Sequence, residues 1–357
     1  MTHRSLGCLA SLLVALLAVP AAAAGDLDPK LREQADHAVD AGLAYLRKHQ
    51  AENGSWSKSV GVTAIALRGF VGSHTPPAEA DVASAAGFIT KHARKDGSIS
   101  ESKENVAYNT ATALVALQAT KNKKYADTIR KGQQYLAHAQ VDEGKGHKPS
   151  DPQYGGIGYS DDDRPDLSNQ YMALEALRTT AFDPKSPVWD KALKFVSRCQ
   201  NRSESNDQKW AANDGGFTYT PGYSPHGATA SYGGMTHAGL LSLLFAGVDK
   251  NDPRVQAAYD WIRANYTLDD NPGVKDKSGL YYYYTAFAQS MAAYGAPMVK
   301  ATDGTEHAWR EEFVRKIVSL QNKNEGSWVN SDSTRWWEGD KNLTTARMVV
   351  ALELATR

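Results

Sequence analysis

One unit recurs six times along this chain of 357 residues: an amphipathic helix, a glycine-containing loop, then a second helix rich in Ala, Thr and Leu. The first helices are expected over 38–50, 82–92, 129–140, 188–200, 255–265 and 309–321. Their apolar residues recur at steps of three and four, as in Val39, Leu43, Leu46 and in Phe313, Ile317, Leu320. A loop follows each time, carrying Gly54, Gly97, Gly155, Gly215, Gly279 and Gly326 in turn. These glycines read as tight turns needing a positive φ, with a neighbouring apolar side chain such as Trp56, Ile99, Phe217 or Trp328 pinning the loop. The second helices are expected over 59–70, 106–119, 167–179, 234–246, 282–294 and 343–354. Several are apolar on more than one face, as between Ala238 and Phe245, which fits burial inside a ring.

Repeated helix pairs form either an open solenoid or a closed ring. An open stack needs polar capping units, and here the end units are no more polar than the middle ones. The expected fold is therefore all-α: a single α/α toroid, six hairpins making an inner and an outer ring of helices, over residues 25–357. The longest connections, 142–153, 201–214 and 221–231, should gather at one rim, where long loops tend to carry function.

Residues 1–24 are different in kind. Arg4 opens a short positive start, an apolar run extends from Leu9 to Val19, and Ala21 to Ala24 supply small residues before Gly25. That is the layout of a cleavable signal peptide with its cut after Ala24, and it predicts a soluble protein that is periplasmic or secreted. An uncleaved anchor is the alternative, although the run is short for a membrane span. Cys8 would leave with the signal, and Cys199 would then stand alone as a buried small residue with no disulfide to form. Lys plus Arg and Asp plus Glu both number 40, so no net field draws in nucleic acid.

The stretches from Gln50 to Trp56 and from Gln321 to Trp328 resemble the Gln–Trp repeat motif of squalene and terpene cyclases. Asp214-Gly215-Gly216-Phe217, and Asp166-Leu167-Ser168-Asn169 opening a helix, resemble repeats of the protein prenyltransferase β subunit. The resemblance to this prenyltransferase and squalene-cyclase repeat family covers essentially the whole mature chain. It implies a barrel of six outer and six inner helices around a central cavity.

The family's chemistry does not carry over with the fold. Zinc-dependent prenyl transfer in the family uses an Asp-x-Cys pair and a His at inner-helix starts, and these places hold Ala230, Tyr232 and Tyr284. None of the three is a usual zinc ligand, so no cofactor is expected. Class II cyclases protonate an alkene with the middle Asp of Asp-x-Asp-Asp. Aligning on Met172-Ala173-Leu174 keeps Asp166 and puts Ser168 where the acid belongs, and a hydroxyl is far too weak an acid for that step. Asp161, Asp162 and Asp163 lie just upstream as a displaced acid, or as a solvated cluster favouring the helix dipole.

The remaining cavity candidates are Asp166, Asn169, Tyr232, His237, Tyr281, Tyr284, Trp336 and Trp337. The four consecutive rings of Tyr281 to Tyr284 fan over more than one helix face, so they either line a pore or pack between helices with hydroxyls on backbone. Trp336 and Trp337 precede the last inner helix, where a rim pair can touch ligand. His237 fits a hydrogen-bonded structural histidine better than a metal ligand. Three functions follow: a cavity for a hydrophobic, isoprenoid-like ligand, implied by the resemblance; a polysaccharide-active lyase or hydrolase, since α/α toroids host both; and a non-catalytic envelope module gripping a protein partner.

Overall fold

A computed structural model describes residues 27–160 and 164–357. The expected signal peptide, residues 1–24, and Asp161 to Asp163 lie outside the described residues. The helices run in the order α1 (Pro29–Lys48), α2 (Val60–Gly72), α3 (Glu79–Lys91), α4 (Val106–Ala119), α5 (Ala126–Ala139), α6 (Leu167–Thr179), α7 (Val188–Cys199), α8 (Gly233–Phe245), α9 (Pro253–Ala264), α10 (Leu280–Tyr294), α11 (Trp309–Leu320) and α12 (Lys341–Thr356). A short hairpin, Val299–Lys300 against Glu306–His307, precedes α11. Each even-numbered helix packs on the next, and α12 packs on α2, so the inner ring closes. The odd-numbered helices surround it, with α1 seated against both α11 and α12.

Local chemistry explains most of the boundaries. Ser59, Asp166 and Asp340 accept from backbone N–H groups in the first turns of α2, α6 and α12. Asp28 and Asp252 do the same where Pro29 and Pro253 open α1 and α9. The Asp28-Pro29 start puts the first helix nine residues ahead of the expected residue 38. Its early turns bury Leu31 and Ala35, which belong to the core.

The rings are fastened by one device repeated. The Gln140 amide donates to the carbonyls of Gly155 in its own loop (2.9 Å) and Val188 on the next outer helix (3.0 Å). Gln200 does likewise to Gly215 (3.0 Å) and Arg254 (2.8 Å). Gln321 reaches Gly326 (2.9 Å) and Ala38 (2.8 Å), which returns the chain to α1. The indoles of Trp56 and Trp328 donate to the carbonyls of Leu46 and Ile317, tying each loop to the outer helix before it.

The turn glycines complete the joint. Gly155 and Gly326 have φ of +87° and +76°, and a Cβ there would fall 1.8 Å from the Lys191 carbonyl and 2.4 Å from that of Ala41. Glycine lets the loop lie directly on the backbone of the next outer helix. Gly54, Gly97 and Gly215 sit in the same way on Ser84, Lys131 and Ala257. The fifth repeat departs from the expected pattern. Gly279 is the left-handed residue just before α10, and only the Trp336 and Asn271 side chains approach it, with no backbone against it. In place of the bridging glutamine stands Asn265, whose shorter amide reaches only Trp261 within its own helix.

The connections from outer to inner helices all emerge at the N-terminal ends of the inner helices, so the long loops share one rim. There the loops of the second to sixth repeats each cap the inner helix of the repeat before. Glu101 accepts from Val60 N, the Tyr159 carbonyl from Ala107 N, and the Tyr219 carbonyl from Leu167 N. Asn271 and the Pro272 carbonyl cap α8, and Glu338 accepts from Tyr282 N at 2.7 Å on α10. Buried Arg198 grips Asp207 and the carbonyls of Asp151 and Pro149, binding two long loops together.

Candidate functional site

The loop-bearing rim encloses a cavity of about 500 Å³ at the N-terminal ends of the inner helices. Ser59, Asn105, Ser168, Tyr232, Gly279 and Leu343 bring the starts of all six inner helices to its wall. Tyr108, Tyr159, Tyr219, Tyr232 and Tyr282 face it, while Tyr223, His226, Trp336 and Trp337 overhang the mouth. Between the rings stand polar groups: Glu101, Asn109, Asn271, Arg164, Arg335 and Arg347. Ring faces alternating with donors and acceptors suit a ligand that is both flat-faced and rich in hydroxyls.

Below this level the pore is filled. Arg68 meets Glu175 at 2.8 Å, and Gln289 donates to the same carboxylate at 2.6 Å. Only a pocket of about 40 Å³ remains there, with Arg347 on its upper wall. The barrel axis is thus crossed by a charged, hydrogen-bonded layer, and the usable space is the upper cavity.

Three acidic groups stand near that cavity, and each is engaged. Glu101 Oε2 accepts from Val60 N and from Asn109 Nδ2. Glu338, fully buried, accepts from Tyr282 N and from Asn330 Nδ2, and burial holds its carboxyl above the usual range. Asp166 accepts from Asn169 N (2.9 Å) and Asn169 Nδ2 (2.7 Å); burial raises its pKa to about 6, although those bonds pull the other way. Burial also raises Tyr159, Tyr219 and Tyr232, so their hydroxyls stay protonated as donors, and it lowers His226, which keeps that ring neutral. Burial alone would pull Arg347 down. Tyr108 and Glu338 beside it outweigh that effect and hold the guanidinium charged.

The candidates named from sequence divide sharply. Tyr232 lines the cavity, and Trp336 and Trp337 stand at its mouth, 47% and 60% exposed. Asp166 faces an adjoining groove with Arg164, Tyr159 and Tyr219, and Asn169 serves it there as a partner behind the wall. His237 turns away from the cavity. It is buried against Tyr283 and Phe287, bonded to Ser290 Oγ at 2.6 Å, and burial lowers its pKa to about 3. Tyr281 and Tyr284 also turn away, donating to the Val329 and Leu268 carbonyls. Tyr282, one of the two rings of that run not singled out, is the one that lines the cavity. Asp161 to Asp163 lie outside the described residues.

Sequence reasoning missed Arg347, Tyr108, Tyr159, Tyr219 and Glu338. Arg347 did leave a signal, as a charge set inside the apolar run Ala346-Arg347-Met348-Val349 of an inner helix. The tyrosines left none, because only the closed ring brings Tyr108 and Tyr282 of the inner helices and Tyr159 and Tyr219 of the loops to one wall. Among the described residues no group of three or more His, Cys, Asp or Glu is placed to hold a metal.

No protein-family model matches the sequence, and no curated protein matches it. Solved structures do share its shape. A protein geranylgeranyltransferase-I of Candida albicans, complexed with GGPP, superposes with a TM-score of 0.55 at 15% identity, over 91% of this chain and 91% of that one. A glycosidase variant in complex with glucose gives 0.54 at 13% identity, over 92% and 99%. A protein from Actinoplanes gives 0.52 at 16% identity, over 90% and 100%. Such identities carry the fold and nothing beyond it: this chain is an α/α toroid, the fold that these solved structures share.

Proposed function

We propose that the protein binds a saccharide in the cavity at the loop-bearing rim. The observation that carries this reading is the wall itself, in which tyrosine and tryptophan rings alternate with Asn109, Asn271, Glu101 and arginines. Sugar rings offer C–H faces to aromatic rings and hydroxyls to such polar groups. The glucose complex of a glycosidase with the same fold is consistent with it, as is the export that residues 1–24 would confer. Two-carboxylate hydrolysis needs a free facing pair, and Glu101 is the one carboxylate among the described residues on this wall.

An isoprenoid-like ligand is the second reading, favoured by Val62, Met235 and Leu343 on the same wall and by the GGPP complex of the geranylgeranyltransferase. The charged layer of Arg68, Glu175 and Gln289 weighs against it, since a long apolar tail would find no tunnel below the cavity. A protein-gripping rim has less support, because the exposed rings of Tyr223, Trp336 and Trp337 belong to the cavity mouth. Ligand-observed NMR of the purified chain against neutral and acidic oligosaccharides and geranylgeranyl diphosphate tests the choice. Saturation transfer to a saccharide, lost in W336A/W337A, supports the proposal. Transfer to the diphosphate alone overturns it.

A further inference from the structure

Arg347 stands on α12, 7% exposed, between the upper cavity and the small pocket beneath it. Its Nη1 has no hydrogen-bond partner. The nearest carboxylate, Glu338, is 3.9 Å away, and its oxygens are engaged by Tyr282 N and Asn330 Nδ2. A buried guanidinium N–H left without an acceptor is costly, and an oxygen of a ligand in the cavity would supply the missing acceptor. Tyr108 and the face of Tyr282, 5.6 Å from the guanidinium, fix where it sits. The charge around it is favourable to an anion. Arg335 and Arg164 stand at the mouth, and the six inner helices direct their N-terminal ends to the cavity above it.

Resting on the saccharide reading, we propose that the ligand is an acidic sugar, whose carboxylate or sulfate group is received by Arg347 at the floor of the cavity. A planar guanidinium suits such an oxyanion, offering two parallel N–H donors where an ammonium offers a point charge. The aromatic walls then hold the ring that carries the acidic group, and the arginines at the mouth draw it in.

Isothermal titration of the full chain with a neutral cello-oligosaccharide, an oligogalacturonate and a sulfated oligosaccharide of equal length provides the test. At about 0.15 M salt, where loose surface attraction is screened, one or both acidic sugars should bind at least tenfold tighter than the neutral one. The better of the two identifies the anion. R347M should abolish the preference for the acidic sugar, and R347K should restore it only in part. Thermal melts show whether either variant is folded, and the preference of the unaltered chain stands whether they fold or not. Equal binding of neutral and acidic sugars overturns the assignment of Arg347 while leaving the saccharide reading in place. Binding of no saccharide overturns the reading itself.

Discussion

Gln321 donates to the carbonyl of Ala38 across 2.8 Å, joining the last outer helix to the first over 283 positions of sequence. The same amide holds Gly326, so its loss would strand two buried carbonyls at the seam of the ring. Q321L should lower the unfolding free energy by about 1–3 kcal/mol in urea titration. Gln50 reaches only Gly54 in its own loop, so Q50L should cost less than about 1 kcal/mol. Equal losses would mean that the seam adds nothing to an ordinary loop bond.

The turn glycines make a parallel case. A Cβ at Gly155 would meet the Lys191 carbonyl at 1.8 Å, and the loop cannot retreat without leaving α7. Gly279 shares the positive φ, +68°, but its nearest neighbour is the Trp336 ring at 3.7 Å. G155A should therefore lower the melting temperature severely or prevent folding. G279A should cost about 1–2 kcal/mol, the left-handed penalty alone. Similar melts for the two would remove the distinction between the fifth loop and the others.

Those two glycines also mark what the sequence could and could not say. Gly155 and Gly279 both read along the chain as turn glycines of a repeat loop, and only packing against the next outer helix separates them. The ring was legible because helical period and a recurring glycine are local signals. The site was less so. Tyr281, Tyr282 and Tyr284 are neighbours in sequence, yet a rotation of about 100° per residue sends one to the cavity and its neighbours to backbone carbonyls. Which face meets the pore depends on how α10 is rolled between α8 and α12, and no residue of α10 alone records that.

Glu353 gives the fold a pH dependence unrelated to the cavity. It is 6% exposed on α12, its Oε1 has no hydrogen-bond partner, and burial raises its pKa from 4.5 to about 8 despite Arg357 and Arg68. The native carboxyl thus keeps its proton where the unfolded chain has released it. Stability from this group is full below about pH 4.5, falls as the pH rises, and levels off above about 8. Chemical denaturation at pH 5 and pH 8 should show a loss on the order of 3 kcal/mol from this group, absent in E353Q. A variant that keeps the full loss would assign the slope elsewhere.

Trp336 and Trp337 occupy consecutive left-handed positions, with φ of +59° and +65°. Large side chains avoid that region, and each such residue stores about 1–2 kcal/mol of strain. Neither ring recovers it by full burial, for Trp337 is 60% and Trp336 47% exposed, the latter with the Arg335 guanidinium 5.1 Å from its ring. Glycine accepts the same backbone without strain, at some entropic cost in the unfolded chain. W337G should thus leave the melting temperature unchanged or raise it by a few degrees. The same variant removes a ring from the cavity mouth and should weaken saccharide binding about tenfold or more, since a stacked aromatic contributes roughly 1–2 kcal/mol in such contacts. A drop in melting temperature with affinity intact would make Trp337 a structural residue. A loss of affinity at undiminished stability would show that the rim holds a strained conformation for the sake of the ligand.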